Sequence, residues 1–184
     1  MTAERPDDAT LVSRARTGDL DAFEALVRKH TRAVYAHALR FFGDESSAED
    51  VVQEVFIKVY RSLATYDGNA AFSTWLFRVT RNTCLDAVRA GSRRPVPVDP
   101  LDVVVQAPGD LADAVAVNAT LEQAMQTLPP EDRDSLMAVT LYGLTYVEAG
   151  IALGVPAGTV KSRVFRARRA LIAALGIGQG GEQS

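Results

Sequence analysis

Apolar residues recur at helical spacing along nearly the whole chain. From Asp19 onward Phe23, Val27, His30, Val34, His37 and Phe41 fall three or four residues apart, which places them on one face of a long helix. Gly43 ends that helix. Ser46 and Glu49 form a capping-box pattern for the next, where Val52, Val55, Phe56, Val59 and Leu63 make the buried stripe. A short opening turn or helix, Asp8 to Thr17, precedes both. After the turn signal Asp67-Gly68-Asn69 a third helix is expected from about Ala71 to Ala90, stopped by Gly91.

The pattern then lapses. Residues 91–110 carry Pro95, Pro97, Pro100 and Pro108 without periodicity, which reads as a linker. Fully extended, such a segment of about 20 residues reaches roughly 65 Å, close to two turns of B-DNA at about 34 Å each. Periodicity resumes over Leu111 to Thr127. Pro129-Pro130-Glu131 supplies a helix start with proline at its first position, and Leu136 to Leu141 follows up to a break at Gly143. Thr145 and Glu148 form a second capping box, and Gly154-Val155-Pro156 divides the last two helices. The expected fold is all-α: two small helical domains, 8–91 and 118–176, joined by a flexible linker over 92–117, with a disordered Gly-rich tail at 177–184.

Composition narrows the chemistry. The 184 residues carry 20 Lys and Arg against 23 Asp and Glu, a formal net charge of -3. A strongly basic balance is the usual footprint of nucleic-acid binding, so charge distribution has to decide. One cysteine, Cys84, excludes an intramolecular disulfide and a Cys-rich zinc site. Its spacing from Phe77 and Thr80 makes it a buried apolar position. His30 and His37 sit about 10 Å apart along a helix, too far to chelate one ion, and read as partly buried spacers. No cofactor or metal is expected. No histidine cluster, phosphate loop or nucleophile–base pair suggests an enzyme. The N-terminus lacks an apolar core for export, and no segment approaches the roughly 18 apolar residues of a membrane span. A soluble, cytoplasmic protein is expected.

The last two helices carry the most chemistry. A short helix, a turn on Gly154 and a second helix from near Pro156 make a helix-turn-helix. The second helix bears Lys161, Arg163, Arg166, Arg168 and Arg169, with no acid from Gly158 to Leu175, while Val160, Val164, Ala167 and Leu171 face inward. Such a helix fits the major groove. Thr159, Lys161, Ser162 and Arg163 near its N-terminus would meet base edges or nearby phosphates, and Arg166 and Arg169 would meet phosphates.

The first half holds two further patterns. Asp44, Glu45, Glu49, Asp50 and Glu54 stand in eleven residues without a base. The helix macrodipole accounts for the earlier ones, but Asp50, Gln53 and Glu54 at i, i+3 and i+4 form a polar patch suited to a basic protein partner. Tyr60, Tyr66, Phe72, Trp75, Phe77, Arg78, Arg81 and Asn82 interleave rings with cations, as single-stranded DNA binding requires; Trp75 and Phe77 equally suit core packing.

Asp50-Val-Val-Gln-Glu-Val-Phe-Ile-Lys-Val-Tyr60, Phe72-Ser-Thr-Trp-Leu-Phe-Arg-Val-Thr-Arg-Asn82 and Gly158-Thr-Val-Lys-Ser-Arg-Val-Phe-Arg-Ala-Arg168 together resemble the extracytoplasmic function group of the sigma-70 family. The resemblance covers about residues 11–90 and 118–175, in order. It implies that Asp50, Gln53 and Glu54 grip the clamp helices of the core RNA polymerase β′ subunit. It implies that the turn from Tyr66 to Ala71, with Tyr66, Asp67 and Asn69, captures a base flipped from the promoter −10 element. Beside it Phe72, Trp75, Arg78 and Asn82 would open the strands. Thr159, Lys161, Ser162, Arg163, Arg166 and Arg169 would read the −35 element, and the linker would thread polymerase near the RNA exit path. An anti-sigma factor as a further partner is also implied. One departure stands out: Ala149-Gly150 replaces the Ile-Ala usual in the first helix of the helix-turn-helix. A mid-helix glycine costs about 1 kcal/mol against alanine, and losing the larger apolar residue thins the local core, so a less stable C-terminal domain or looser −35 recognition is expected. The competing reading is a stand-alone helix-turn-helix regulator with an N-terminal sensor domain, binding duplex DNA as a dimer.

Overall fold

The structure is a computed structural model that describes residues 7–91 and 120–176. The linker over 92–117, the start of the helix expected from Leu111 and the tail at 177–184 lie outside the described residues. Within them the chain is all-helical, with no strand among the described residues.

Helix α1 spans Asp8–Arg16, its first turn capped by Asp7, which accepts from the Thr10 amide. Helix α2, Leu20–Phe42, starts on Asp19, whose carboxylate accepts from the Ala22 amide, and stops at Gly43, where φ is 83°. Only glycine adopts that left-handed value without strain. Helix α3 spans Glu45–Ser62 and runs into a 3-10 turn at Leu63–Thr65. Helix α4, Phe72–Arg89, ends at Ala90 as the spacing predicts.

In the second half, α5 covers residues 120–127 and α6 spans Pro130–Leu141 with proline in its first turn. Helix α7, Tyr146–Leu153, begins on a capping box with both arms made by Thr145 and Glu148. Helix α8, Ala157–Ala174, follows the Gly154 turn.

Three details differ from the sequence pattern. The cap of α3 is Asp44, accepting from the Ser47 amide at 2.7 Å, rather than Ser46. A carboxylate two residues earlier takes the orphan amide and adds a favourable charge at the positive helix end. The α3 stripe is Ala48, Val51, Val55, Phe56 and Val59, with Val52 only half-buried; a small alanine shifts its centre. On α2, Ala22, Leu26, Val34, His37, Ala38, Phe41 and Phe42 are buried, while Phe23, Val27 and His30 are half-buried. That helix packs against α1, α3, α4 and α6, so its buried arc is wider than one stripe.

The departure at Gly150 has a packing cause. Gly150 is buried, and a Cβ there would stand 2.7 Å from the Val155 carbonyl oxygen and 3.3 Å from the Ala157 amide nitrogen. The Val155 amide donates to the Gly150 carbonyl at 3.0 Å. Backbone of the turn therefore fills the place of a side chain. At Gly150 itself the missing methyl leaves no void.

The two domains pack on each other. Helices α6 and α7 lie against α4, and α6 also meets α2. Tyr142, at the end of α6, sets its ring edge-on against His37 of α2 (centroids 5.7 Å) and Phe77 of α4 (5.3 Å).

Candidate functional site

The acidic face of α3 stands on the solvent side of the first domain. Val51, Val55 and Val59 turn the helix inward, which forces Asp50 and Gln53 outward to exposed positions, with Glu54 half-exposed beside them. Lys58 lies 3.1 Å from Glu54 and 3.6 Å from Asp86 of α4, so one cation bridges the two helices. The same face continues into Ile57, 50% exposed, and Tyr60, 57% exposed, whose ring leans on Phe23. Sequence reasoning missed Ile57, although its i+3 and i+4 spacing from Glu54 and Gln53 was the available signal. Acidic groups beside an exposed aliphatic side chain make a surface that fits a protein better than DNA.

The loop before α4 is held by aromatic contacts. Phe72 is buried and touches His30, Tyr66 and Trp75, with ring centroids 5.2, 6.1 and 5.7 Å away. Tyr66 and Trp75 are 5.2 Å apart and both half-buried. Phe72 therefore anchors the loop and has no open face for a base to stack on, whereas Trp75 keeps part of its surface. Asp67 accepts from the Asn69 amide at 3.0 Å and from its side-chain nitrogen at 2.6 Å, closing the exposed tip. This bonding holds the Asp67 carboxyl below the usual carboxylate range. His30 meets Asp8 of α1 at 3.0 Å, tying α1 under the loop.

The remaining cations of α4 turn elsewhere. Arg78 donates to the Ile151 carbonyl of α7 at 3.0 Å, and Arg81 donates to Asp134 of α6 at 2.5 Å. Asn82 is exposed. Thus Tyr66, Asp67 and Asn69 lie in the loop before α4, Phe72 and Trp75 in its first turn, and Arg78 and Asn82 one and two turns further along the same helix.

On α8, Val160, Val164 and Ala167 are buried, which sends Lys161, Ser162, Arg166 and Arg169 to solvent; Thr159 and Arg163 are half-buried. The Ser162 hydroxyl donates to the Gly158 carbonyl at 2.7 Å. Arg169 lies over the exposed Phe165 ring at 5.8 Å. Arg166 is already engaged: Nε and Nη2 donate to both oxygens of Asp132, at 3.0 and 2.7 Å. The Arg166 side chain stays 58% exposed while Asp132 is buried, so a buried acid orients an exposed guanidinium. Asp132, Arg133, Asp134 and Ser135 are all under 9% exposed. Nothing in the sequence pattern singles these residues out, and only their packing against α2, α4 and α8 reveals them.

Fold and surfaces together define a class: a two-domain helical protein with an exposed acidic face on its first domain and a helix-turn-helix with a basic second helix on its second. The family follows from comparison. Residues 26–94 match the Sigma-70 region 2 model and residues 119–171 match Sigma-70, region 4. The chain is 36% identical over 180 residues to the RNA polymerase sigma-H factor of Pseudomonas aeruginosa, covering 91% of this chain and 93% of that one. It is 33% identical over 182 residues to the ECF RNA polymerase sigma-E factor of Escherichia coli K12, covering 92% and 94%. Among solved structures, CnrH in complex with the cytosolic domain of CnrY superposes with a TM-score of 0.70 at 27% identity, covering 93% of this chain and 98% of that one. The chain belongs to the extracytoplasmic function group of the sigma-70 family: it is an RNA polymerase sigma factor. No described helix is long and apolar enough to cross a membrane.

Proposed function

We propose that this sigma factor binds core RNA polymerase through the α3 face and directs it to promoters with paired −10 and −35 elements, opening the strands at the first. In this reading residues 8–91 hold polymerase and the −10 element, 118–176 read the −35 element, 92–117 connect them and 177–184 form a tail. Asp50, Gln53 and Glu54 supply charge for the β′ clamp helices, and Ile57 supplies the desolvated centre of the contact. The loop from Tyr66 to Ala71 receives a flipped base, with Tyr66, Asp67 and Asn69 around it, and Trp75, Arg78 and Asn82 meet the opened strand. Phe72 supports this loop from below.

On the second domain Thr159, Lys161, Ser162 and Arg163 stand at the N-terminal part of α8, where a recognition helix meets base edges. Arg166, oriented by Asp132, and Arg169 meet phosphate. The chain itself performs no chemistry and acts in the cytoplasm; an anti-sigma factor is its further partner, in keeping with the complexes in which CnrH and the Bartonella quintana sigma factor RpoE were solved. The observation that carries the reading is the pairing, on one chain, of an exposed acidic α3 face with a separate basic recognition helix. A stand-alone regulator has no use for the first.

The test is run-off transcription with reconstituted core polymerase on a pool of genomic promoter fragments. Selective transcripts that depend on the added chain, sharing two sequence elements upstream of their starts, are expected. Transcription equal to that of core polymerase alone would refute it.

A further inference from the structure

The recognition helix carries Lys161, Arg163, Arg166, Arg168 and Arg169, with no acid from Gly158 to Leu175. One cation among them is held. Arg166 donates from Nε and Nη2 to the two carboxylate oxygens of Asp132 on α6, at 3.0 and 2.7 Å. Among the described residues no other cation of α8 is paired with a carboxylate. The acid is part of the core rather than of the surface. Asp132 stands in the first turn of α6, where the positive helix end favours its charge. Its amide donates to the Pro129 carbonyl at 3.0 Å, and its side chain is 5% exposed. On α8 the neighbours Val164 and Ala167 are buried, so the backbone that carries Arg166 is fixed as well. Both ends of the pair are thus held. The donors left for DNA are those of Nη1 and the outer hydrogen of Nη2, all at the far end of the side chain.

For affinity alone this acid is a liability. A carboxylate beneath a DNA-facing helix repels phosphate and offsets a cation that would otherwise displace a counterion. A free arginine samples several rotamers and follows any nearby phosphate, whereas a held one reaches a single place. Phosphate contacts made from fixed positions set the register of a recognition helix in the groove, and register decides whether the base-facing residues meet their bases.

We propose that Asp132 is a specificity-determining residue for the −35 element. It holds Arg166 as a fixed phosphate clamp, which sets the register in which Thr159, Lys161, Ser162 and Arg163 meet the bases. Discrimination between matched and unmatched elements rises, while overall affinity for DNA does not. The inference rests on the proposed −35 role of α8, and Asp132 acts only through Arg166.

The test uses the full chain reconstituted with core polymerase and two promoter fragments. One is recovered from the run-off pool; the other is identical except for a scrambled −35 element. Competition binding gives the ratio of the two affinities. Asp132→Asn is nearly isosteric, but its amide nitrogen sets a donor against a guanidinium donor, so the two-point contact is lost. The ratio should fall roughly tenfold, the scale of one mismatched base pair. The matched fragment should bind more weakly, and the scrambled one no more weakly than it binds the wild type. Arg166→Lys keeps the charge and removes the fork. It should lower the ratio to a similar extent, and the two changes together should lower it no further.

A ratio unchanged in Asp132→Asn, including a parallel rise in both affinities, reduces the acid to its bulk charge and overturns the proposal. So does a ratio that Asp132→Asn lowers as much in the Arg166→Lys background as in the wild type, which would make Asp132 a structural part of α6. Circular dichroism checks folding. Should Asp132→Asn lose helix content, Arg166→Lys alone decides, and an undiminished ratio there overturns the proposal. Equal affinity of the wild-type complex for both fragments refutes the −35 reading of α8 and this inference with it, a failure seen in the wild type and so distinct from the others.

Discussion

At Gly150 a backbone contact stands where the group usually has a side chain, and the physical consequence is specific. Alanine would recover about 1 kcal/mol of helix propensity, yet its Cβ would press 2.7 Å from the Val155 carbonyl, which belongs to backbone and cannot swing aside. Overpacking of that kind costs about 1–3 kcal/mol. Gly150→Ala should therefore destabilise the second domain on balance, seen as a lower denaturant midpoint with unchanged slope; a stabilised variant would show that the turn relaxes freely. On α8 the exposed Lys161 and half-buried Arg163 carry the predicted sequence reading. Lys161→Ala with Arg163→Ala should reduce transcription from −35-dependent promoters by at least about tenfold, since each lost base contact is worth about 1–3 kcal/mol. Affinity for core polymerase, measured by fluorescence anisotropy, should not change.

Among the elements, the loop into α4 shows how far pattern reading extends. The helix boundaries, the Asp67-Gly68-Asn69 turn, the Thr145–Glu148 box and the buried Cys84 were legible, because each follows from local rules of capping, spacing and hydropathy. The division of labour among the rings was not. Phe72, Trp75 and Tyr66 look equivalent in sequence, and only the docking of α1 and α2 against the loop buries Phe72 and leaves Trp75 part-exposed. Likewise no spacing rule singles out Asp132 and Asp134; tertiary packing alone makes them partners of Arg166 and Arg81. The loop geometry predicts that Trp75→Ala impairs promoter opening while polymerase still binds. Permanganate reactivity of unpaired thymines should fall several-fold in the variant, by the roughly 1–3 kcal/mol that base–aromatic stacking contributes. Full reactivity would remove Trp75 from the opening step.

For the molecule as a whole, docking joins two modest cores, and His37 makes the joined form sensitive to acid. Complete burial, reinforced by Arg133 of α6, Arg81 of α4 and Arg40 of its own helix, holds the His37 pKa down to about 3 from 6.5. The unfolded chain thus binds one more proton than the native one between those values, so stability is fully present above pH 6.5 and declines as pH falls towards 3. Between pH 7.5 and 5.5 the unfolding free energy should drop by about 1.4 kcal/mol from this group, and His37→Phe should flatten that part of the profile in denaturant titrations. The net charge of -3 also takes its meaning at this scale, because a chain that first joins a larger protein has no need of a basic surface overall. That central claim is tested most directly by size-exclusion co-elution of the purified chain with core RNA polymerase in the absence of DNA. The account predicts a stoichiometric complex that Asp50→Ala with Glu54→Ala weakens at least about tenfold while the variant keeps its helix content. A chain that never co-elutes with polymerase yet binds duplex DNA tightly by itself would contradict it.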